Sequence, residues 1–183
     1  MNLQWVDKYK PRNLNEVIGN DNIINKIDKW VKVFTNNNLI YTGFKNAILL
    51  SGPPGVGKTT IAHLILEKYN FDIIEFNASE IRTSKIISEK LHNILSGRSI
   101  KTMYSGDIKT GVIMDEIDGI ESRKESNTND IIKYINYKTN IFKKKNKKNK
   151  NENIKNVVRV NQNPIICICN KINKNVNPLL KEL

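Results

Sequence analysis

The sequence predicts an α/β fold in which a parallel sheet carries helices on its faces, and three observations predict it. Short apolar runs alternate with segments of helical length and spacing. One run, "AILLS", passes straight into a Gly/Pro turn and then a helical pattern. Two others, "TGVIMDEIDG" and "NPIICICN", end abruptly in polar residues, as buried parallel strands do at the edge where ligands bind.

Taken in order, residues 1–20 read as an extended arm with Trp5, Tyr9 and Pro11, closing on Ile18 and Gly19. From Asp21, an N-cap residue type, Ile23, Ile24, Ile27, Trp30, Val31 and Phe34 recur at helical spacing and predict a helix to about residue 34. A polar loop with Gly43 leads to the first strand at 46–51. The helix at 58–69 places Ile61, Ala62, Ile65 and Leu66 on its inner face, and "FDIIEFNAS" is the second strand. "IRTSKIISEKLHNIL" reads as a helix through Ile87, Leu91, Ile94 and Leu95, and a further helix is expected near 128–141. Between it and the fourth strand lies "KKKNKKNKNENIKN", residues 143–156, a low-complexity insertion too poor in apolar residues to fold by itself and read as disordered.

The 183 residues suffice for one domain with a real core and room for the start of a second. A formal charge of +12 argues for a polyanionic partner without naming it. Of the 30 basic residues 25 are Lys, and Asn and Ile each occur 28 times, a bias that an AT-rich coding sequence would produce. The two cysteines, Cys167 and Cys169, are two apart on a strand and so share a face, which is not metal or redox spacing; they read as buried thiols. No segment approaches the ~18 apolar residues of a membrane span, and "MNLQWVDKYK" lacks the apolar core of a signal, so a soluble intracellular chain is expected.

The chemistry is concentrated in "GPPGVGKTT", residues 52–60, which satisfies G-x-x-x-x-G-K-[ST] between a strand and a helix. Gly52, Gly55 and Gly57 let backbone N–H groups wrap a phosphate, Lys58 supplies counter-charge, and Thr59 offers a hydroxyl to Mg²⁺. Pro53, Pro54, Val56 and Thr60 complete the loop, and the fold is that of a P-loop NTPase binding ATP and Mg²⁺. At the end of the third strand Asp115 is placed to hold the metal through water, and Glu116 to polarise an attacking water. Asp118 reads as solvated or capping. Asn170, a neutral amide ending the fourth strand, can hydrogen-bond the γ-phosphate or the water and report whether that phosphate is present.

"WVDKYKP", "GPPGVGKTT", "NASEIR", "IMDEIDG" and "PIICICN", in that order, resemble the AAA+ ATPase module of replication factor C, the eukaryotic-type sliding-clamp loader, and its large subunit more than its small ones. The resemblance covers nearly the whole chain apart from the Lys/Asn insertion. It implies that Tyr9, Lys10, Pro11 and Ile18 line the adenine side of the site. Trp5 reads instead as a packing residue of a hydrophobic strap. It also implies partners: other loader subunits, a sliding clamp and primer-template DNA, in a nucleus or at the replication site of a large DNA virus, with no membrane. Ile100, Met103 and Tyr104, spaced i, i+3, i+4, resemble the plug that enters the clamp, and Arg82, Ser84 and Lys85 occupy the place of a DNA-backbone contact. The strand bearing an arginine finger, the helical lid and the collar of that family have no counterpart before Leu183, so a truncated module is expected, with 46–51 at an open sheet edge. Two other functions compete: a non-hydrolysing ATP-binding scaffold, and another remodeller such as a branch-migration helicase, which "NASEIR" and "CICN" disfavour.

Overall fold

A computed structural model describes residues 4–35, 45–77, 109–119 and 163–173, together with Val176 and Leu180. The expected helices at 81–95 and 128–141 and the insertion at 143–156 lie outside the described residues.

The arm is not extended throughout. Trp5–Lys8 forms a helical turn, α1, and Leu14–Glu16 a 3₁₀ turn. The second turn is held locally: the Asn13 carboxamide oxygen accepts the Asn15 amide at 3.1 Å, and Glu16 reaches back to the Arg12 amide at 2.8 Å and to Asn13 Nδ2 at 2.6 Å. Trp5 does not pack the arm down. It is 80% exposed, with Tyr9, one turn on, in an edge contact at 6.1 Å. Leu14 and Val17 pack against the core instead.

Helix α2 spans Asp21–Thr35. Asp21 is its first residue rather than the residue before it, and the Asn20 carbonyl accepts the amides of Ile23 and Ile24 at 2.8 and 2.9 Å. The apolar stripe buries Ile24, Ile27, Val31 and Phe34, while Ile23 stays exposed. Trp30 bridges out of the helix, donating Nε1 to the Lys45 carbonyl at 3.0 Å with its ring edge-on to Phe34. At the far end Lys109 Nζ donates to the carbonyls of Phe34 and Thr35, at 2.7 and 3.0 Å, as a cation suits the carboxyl end of a helix.

Among the described residues four strands follow: β1 (Ala47–Ser51), β2 (Asp72–Asn77), β3 (Thr110–Asp115) and β4 (Ile165–Cys169), with α3 (Lys58–Lys68) after β1. All pair in parallel in the order β1-β4-β3-β2, so β1 and β2 are the outer strands among the described residues. Every residue of β4 is buried, which requires a continuous apolar run, and "IICIC" supplies it. Ile166 and Ile168 join α2 and α3 in one core, while Cys167 and Cys169 take the alternate face as free, buried thiols. Gly111 lets α3 approach β3 closely: a Cβ there would stand 2.9 Å from two Leu66 carbons.

Candidate functional site

Parallel pairing brings the carboxyl ends of β1, β3 and β4 to one edge of the sheet, and the polar residues that end those strands meet there. The ladder between β1 and β4 runs one step beyond the strands, with the Gly52 amide donating to the Cys169 carbonyl at 3.4 Å. The chain then turns through Gly52–Gly57 into α3. Gly55 and Gly57 have φ of +81° and +86°, a backbone that side chains resist, and nothing lies within 4 Å of a Cβ at Gly55. Glycine is therefore demanded there by the dihedral angle and not by crowding.

The amino end of α3 has the character of an anion seat. Its cap is Gly57, which offers no side chain to the first-turn amides, and its first turn contains no acid to offset the helix dipole. Lys58 Nζ stands in front of that turn. It donates to the carbonyls of Gly52 and Pro53 at 2.8 and 2.9 Å and to Asn170 Oδ1 at 3.0 Å. Thr60 lies in the same first turn of α3, and Val56, at 39% exposure, marks the open side of the loop.

A second polar pair sits alongside. Thr59 donates its hydroxyl to Asp115 Oδ2 at 2.6 Å, and Asp115 Oδ1 accepts the Glu116 amide at 2.7 Å. Glu116 is exposed, with φ of +53°, a left-handed conformation unusual for a residue with a Cβ. A 3₁₀ turn, Ile117–Gly119, follows and is closed by the Gly119 amide on the Glu116 carbonyl at 2.9 Å. Among the described residues no group of three or more His, Cys, Asp or Glu side chains gathers as a metal nest. A hydroxyl and one carboxylate suit Mg²⁺, which keeps several waters and takes its remaining oxygens from phosphates. The residues present thus fit a Mg²⁺-bound nucleotide phosphate.

The structure brings together Gly52, Lys58, Thr59, Asp115, Glu116 and Asn170 from three segments of the chain. It leaves the proposed adenine-side residues in the open: Tyr9 is 67% and Ile18 97% exposed, Lys10 is exposed and Pro11 half-buried. The expected clamp plug (Ile100, Met103, Tyr104) and DNA contact (Arg82, Ser84, Lys85) lie outside the described residues. Two features escape sequence reasoning. Asp118 Oδ2 accepts the backbone amides of Asn170 and Lys171, each at 3.1 Å, a link across more than fifty positions. Ser51 hydrogen-bonds the Cys169 thiol, which burial nonetheless pushes above its ordinary range. Burial pushes Cys167 up to about 12, so its thiol stays protonated near neutral pH.

The chain has counterparts among known proteins. Residues 48–183 match the ATPase family associated with various cellular activities (AAA), and the chain belongs to that family. The similarity to replication factor C large subunits expected from the motifs is found directly. The chain is 29% identical over 182 residues to replication factor C subunit 1 of Schizosaccharomyces pombe, covering 91% of this chain and 17% of that protein. It is 35% identical over 133 residues to the replication factor C large subunit of Methanococcus vannielii, covering 72% of this chain and 25% of that one. It spans a quarter or less of the length of these two relatives. Among solved structures, Caenorhabditis elegans PCH-2 superposes with a TM-score of 0.54 at 18% identity, covering 88% of this chain and 41% of that one. The T158V variant of Thermotoga maritima RuvB gives 0.54 at 16%, covering 93% and 46%. At such identities these likenesses show the fold alone. No described helix is long and apolar enough to cross a membrane.

Proposed function

We propose that the chain is the ATP-binding module of a DNA sliding-clamp loader, binding ATP with Mg²⁺ and coupling its γ-phosphate to loading of a clamp on primer-template DNA. The observation that carries this reading is the meeting of Lys58 with Asn170 and of Thr59 with Asp115 at the ends of three strands. The backbone of Gly52–Gly57 and the start of α3 wrap the phosphates, and Lys58 exchanges its carbonyl partners for phosphate oxygens. Thr59 and Asp115 are the residues to hold Mg²⁺, whose chemistry is to neutralise charge developing on the phosphates. Glu116 orients and polarises the attacking water. Asn170, already at the Lys58 ammonium, contacts the terminal phosphate or that water. Tyr9, Lys10, Pro11 and Ile18 close over the adenine when it binds.

The relatives named replication factor C support the assembly part of the reading: other loader subunits, the clamp and DNA are its partners. Ile100, Met103 and Tyr104 are assigned to the clamp, and Arg82, Ser84 and Lys85 to the DNA backbone. The test is a titration of the chain with its cognate sliding clamp. Met103→Ala with Tyr104→Ala is expected to weaken clamp binding by about tenfold or more while leaving ATP affinity unchanged. Loss of ATP and clamp binding together, with an earlier melt, assigns those side chains to the core instead. No clamp binding by the unsubstituted chain, with or without ATP, overturns the loader assignment.

A further inference from the structure

Strand β4 ends at Cys169, and the residues after it leave the ladder with amides that need acceptors. Asp118 supplies one oxygen for two of them, the amides of Asn170 and Lys171. The same residue's carbonyl accepts Asn173 Nδ2 at 3.1 Å, and Asn173 Oδ1 accepts the Val176 amide at 3.1 Å, so the bend after β4 is stitched at several points. Asp118 is itself rooted. It sits in the 3₁₀ turn whose Ile117 is 1% exposed and whose start carries Glu116.

We propose that Asp118 is a positioning residue: it fixes the backbone of Asn170 so that the carboxamide reaches the terminal phosphate, and it ties that sensing residue to the turn bearing Glu116. This rests on the nucleotide-binding reading of the site. Asn170 Oδ1 lies 3.0 Å from Lys58 Nζ, so its backbone already stands within one side chain's reach of the phosphate-binding lysine. A free amide bend there would let the carboxamide swing away, because nothing in the strand ladder holds residue 170. One carboxylate accepting two adjacent amides is a charge-assisted, directional hold that water does not replace in kind. Asp118 touches no reacting atom in this scheme and acts through Asn170.

Calorimetric titration of the whole chain with Mg²⁺ and either ADP or adenylyl imidodiphosphate, a non-hydrolysable ATP analogue, tests it. The wild type is expected to prefer the analogue. Asp118→Ala is expected to cut that preference by about tenfold, as far as Asn170→Ala does, with ADP affinity kept within about twofold and no further loss in the double variant. Asp118→Asn, which keeps an acceptor oxygen in place, restores most of the preference. Parallel loss of ADP and analogue affinity, an unchanged preference, additive losses, or an Asn variant no better than Ala each overturn the proposal. Should the Ala variant not fold, amide exchange at Asn170 and Lys171 in the wild type decides: protection of both amides well beyond that of an open chain supports the hold, and exchange at the open-chain rate refutes it. A wild type that binds neither nucleotide brings down the nucleotide reading itself, and the inference with it, whereas intact wild-type discrimination with an indifferent Asp118→Ala brings down only the inference.

Discussion

The two halves of the proposed nucleotide site are built differently. The phosphate half stands on β1, β3, β4 and α3, with buried apolar residues of β3, β4 and α3 behind it, and its polar groups are bonded to one another. The arm meant for the adenine half is anchored through Leu14 and Val17, while Tyr9 and Ile18 face outward. One half is preorganised, so its binding free energy is not spent on ordering side chains. On the proposed reading the other would have to be drawn in by the adenine, which would make it the adjustable part.

The sharpest way to break this comparison is through stability. Ile166→Ala on β4 is expected to cost about 2–5 kcal/mol in denaturant unfolding, whereas Ile18→Ala, at an almost fully exposed side chain, should fall within about 0.5 kcal/mol of wild type. Equal losses at both positions would mean the arm is as firmly rooted as the sheet. Next comes affinity. Lys58→Ala removes a charged partner of phosphate and is expected to weaken ATP by about 1.5–3 kcal/mol. Tyr9→Ala is expected to cost about 1 kcal/mol with no change in melting temperature, read by titration of a fluorescent ATP analogue beside a thermal melt.

A smaller effect tests the turn. Gly57→Ala forces a Cβ into a φ of +86° and is expected to destabilise the chain by about 1 kcal/mol, although the nearest atom to such a Cβ, in Ile61, is 3.9 Å away. A neutral result would move the origin of the glycine requirement from backbone strain to ligand approach. The smallest effect near neutral pH belongs to Cys167. Its thiol stays protonated in the fold up to about 12, while the unfolded chain loses that proton from 9.0 upward. The unfolded state then binds fewer protons, so this residue contributes a stability that is whole below pH 9.0 and declines between 9.0 and about 12. Chemical denaturation across that window should show the decline, and thiol alkylation at pH 8 should label Cys167 only in denaturant.

Much of the site was legible in the sequence because its chemistry is local. Lys58 and Thr59 follow from one motif, and the polar ends of "VIMDEID" and "CICN" mark where buried strands stop. Their meeting also followed, since strands alternating with helices pair in parallel and place those ends together. What could not be read is set by contacts distant in the chain. Asp118 was recognisable as a capping residue type, yet no local pattern says that it caps the bend after β4. The left-handed backbones of Asn20 and Glu116 carry no glycine to announce them, and they arise where the fold closes a turn around them. The helical turn at Trp5–Lys8 hid behind a segment whose aromatic and proline content suggests an extended strap.

Lys58 and Asn170 lie 112 positions apart, and that distance governs when the cradle can exist at all. A chain made from its amino end has the glycine turn in hand early, but the opposite wall arrives only after the long stretch between them has been synthesised. Nucleotide therefore cannot template the first steps of folding. The strand that binds β1 must return across a long intervening segment, and such distant pairings are slow to form. Lengthening that segment is cheap at equilibrium, since each doubling of a flexible loop adds only about 0.6 kcal/mol. A long connection is thus tolerated thermodynamically, and its toll falls on the time the newborn sheet spends without β4.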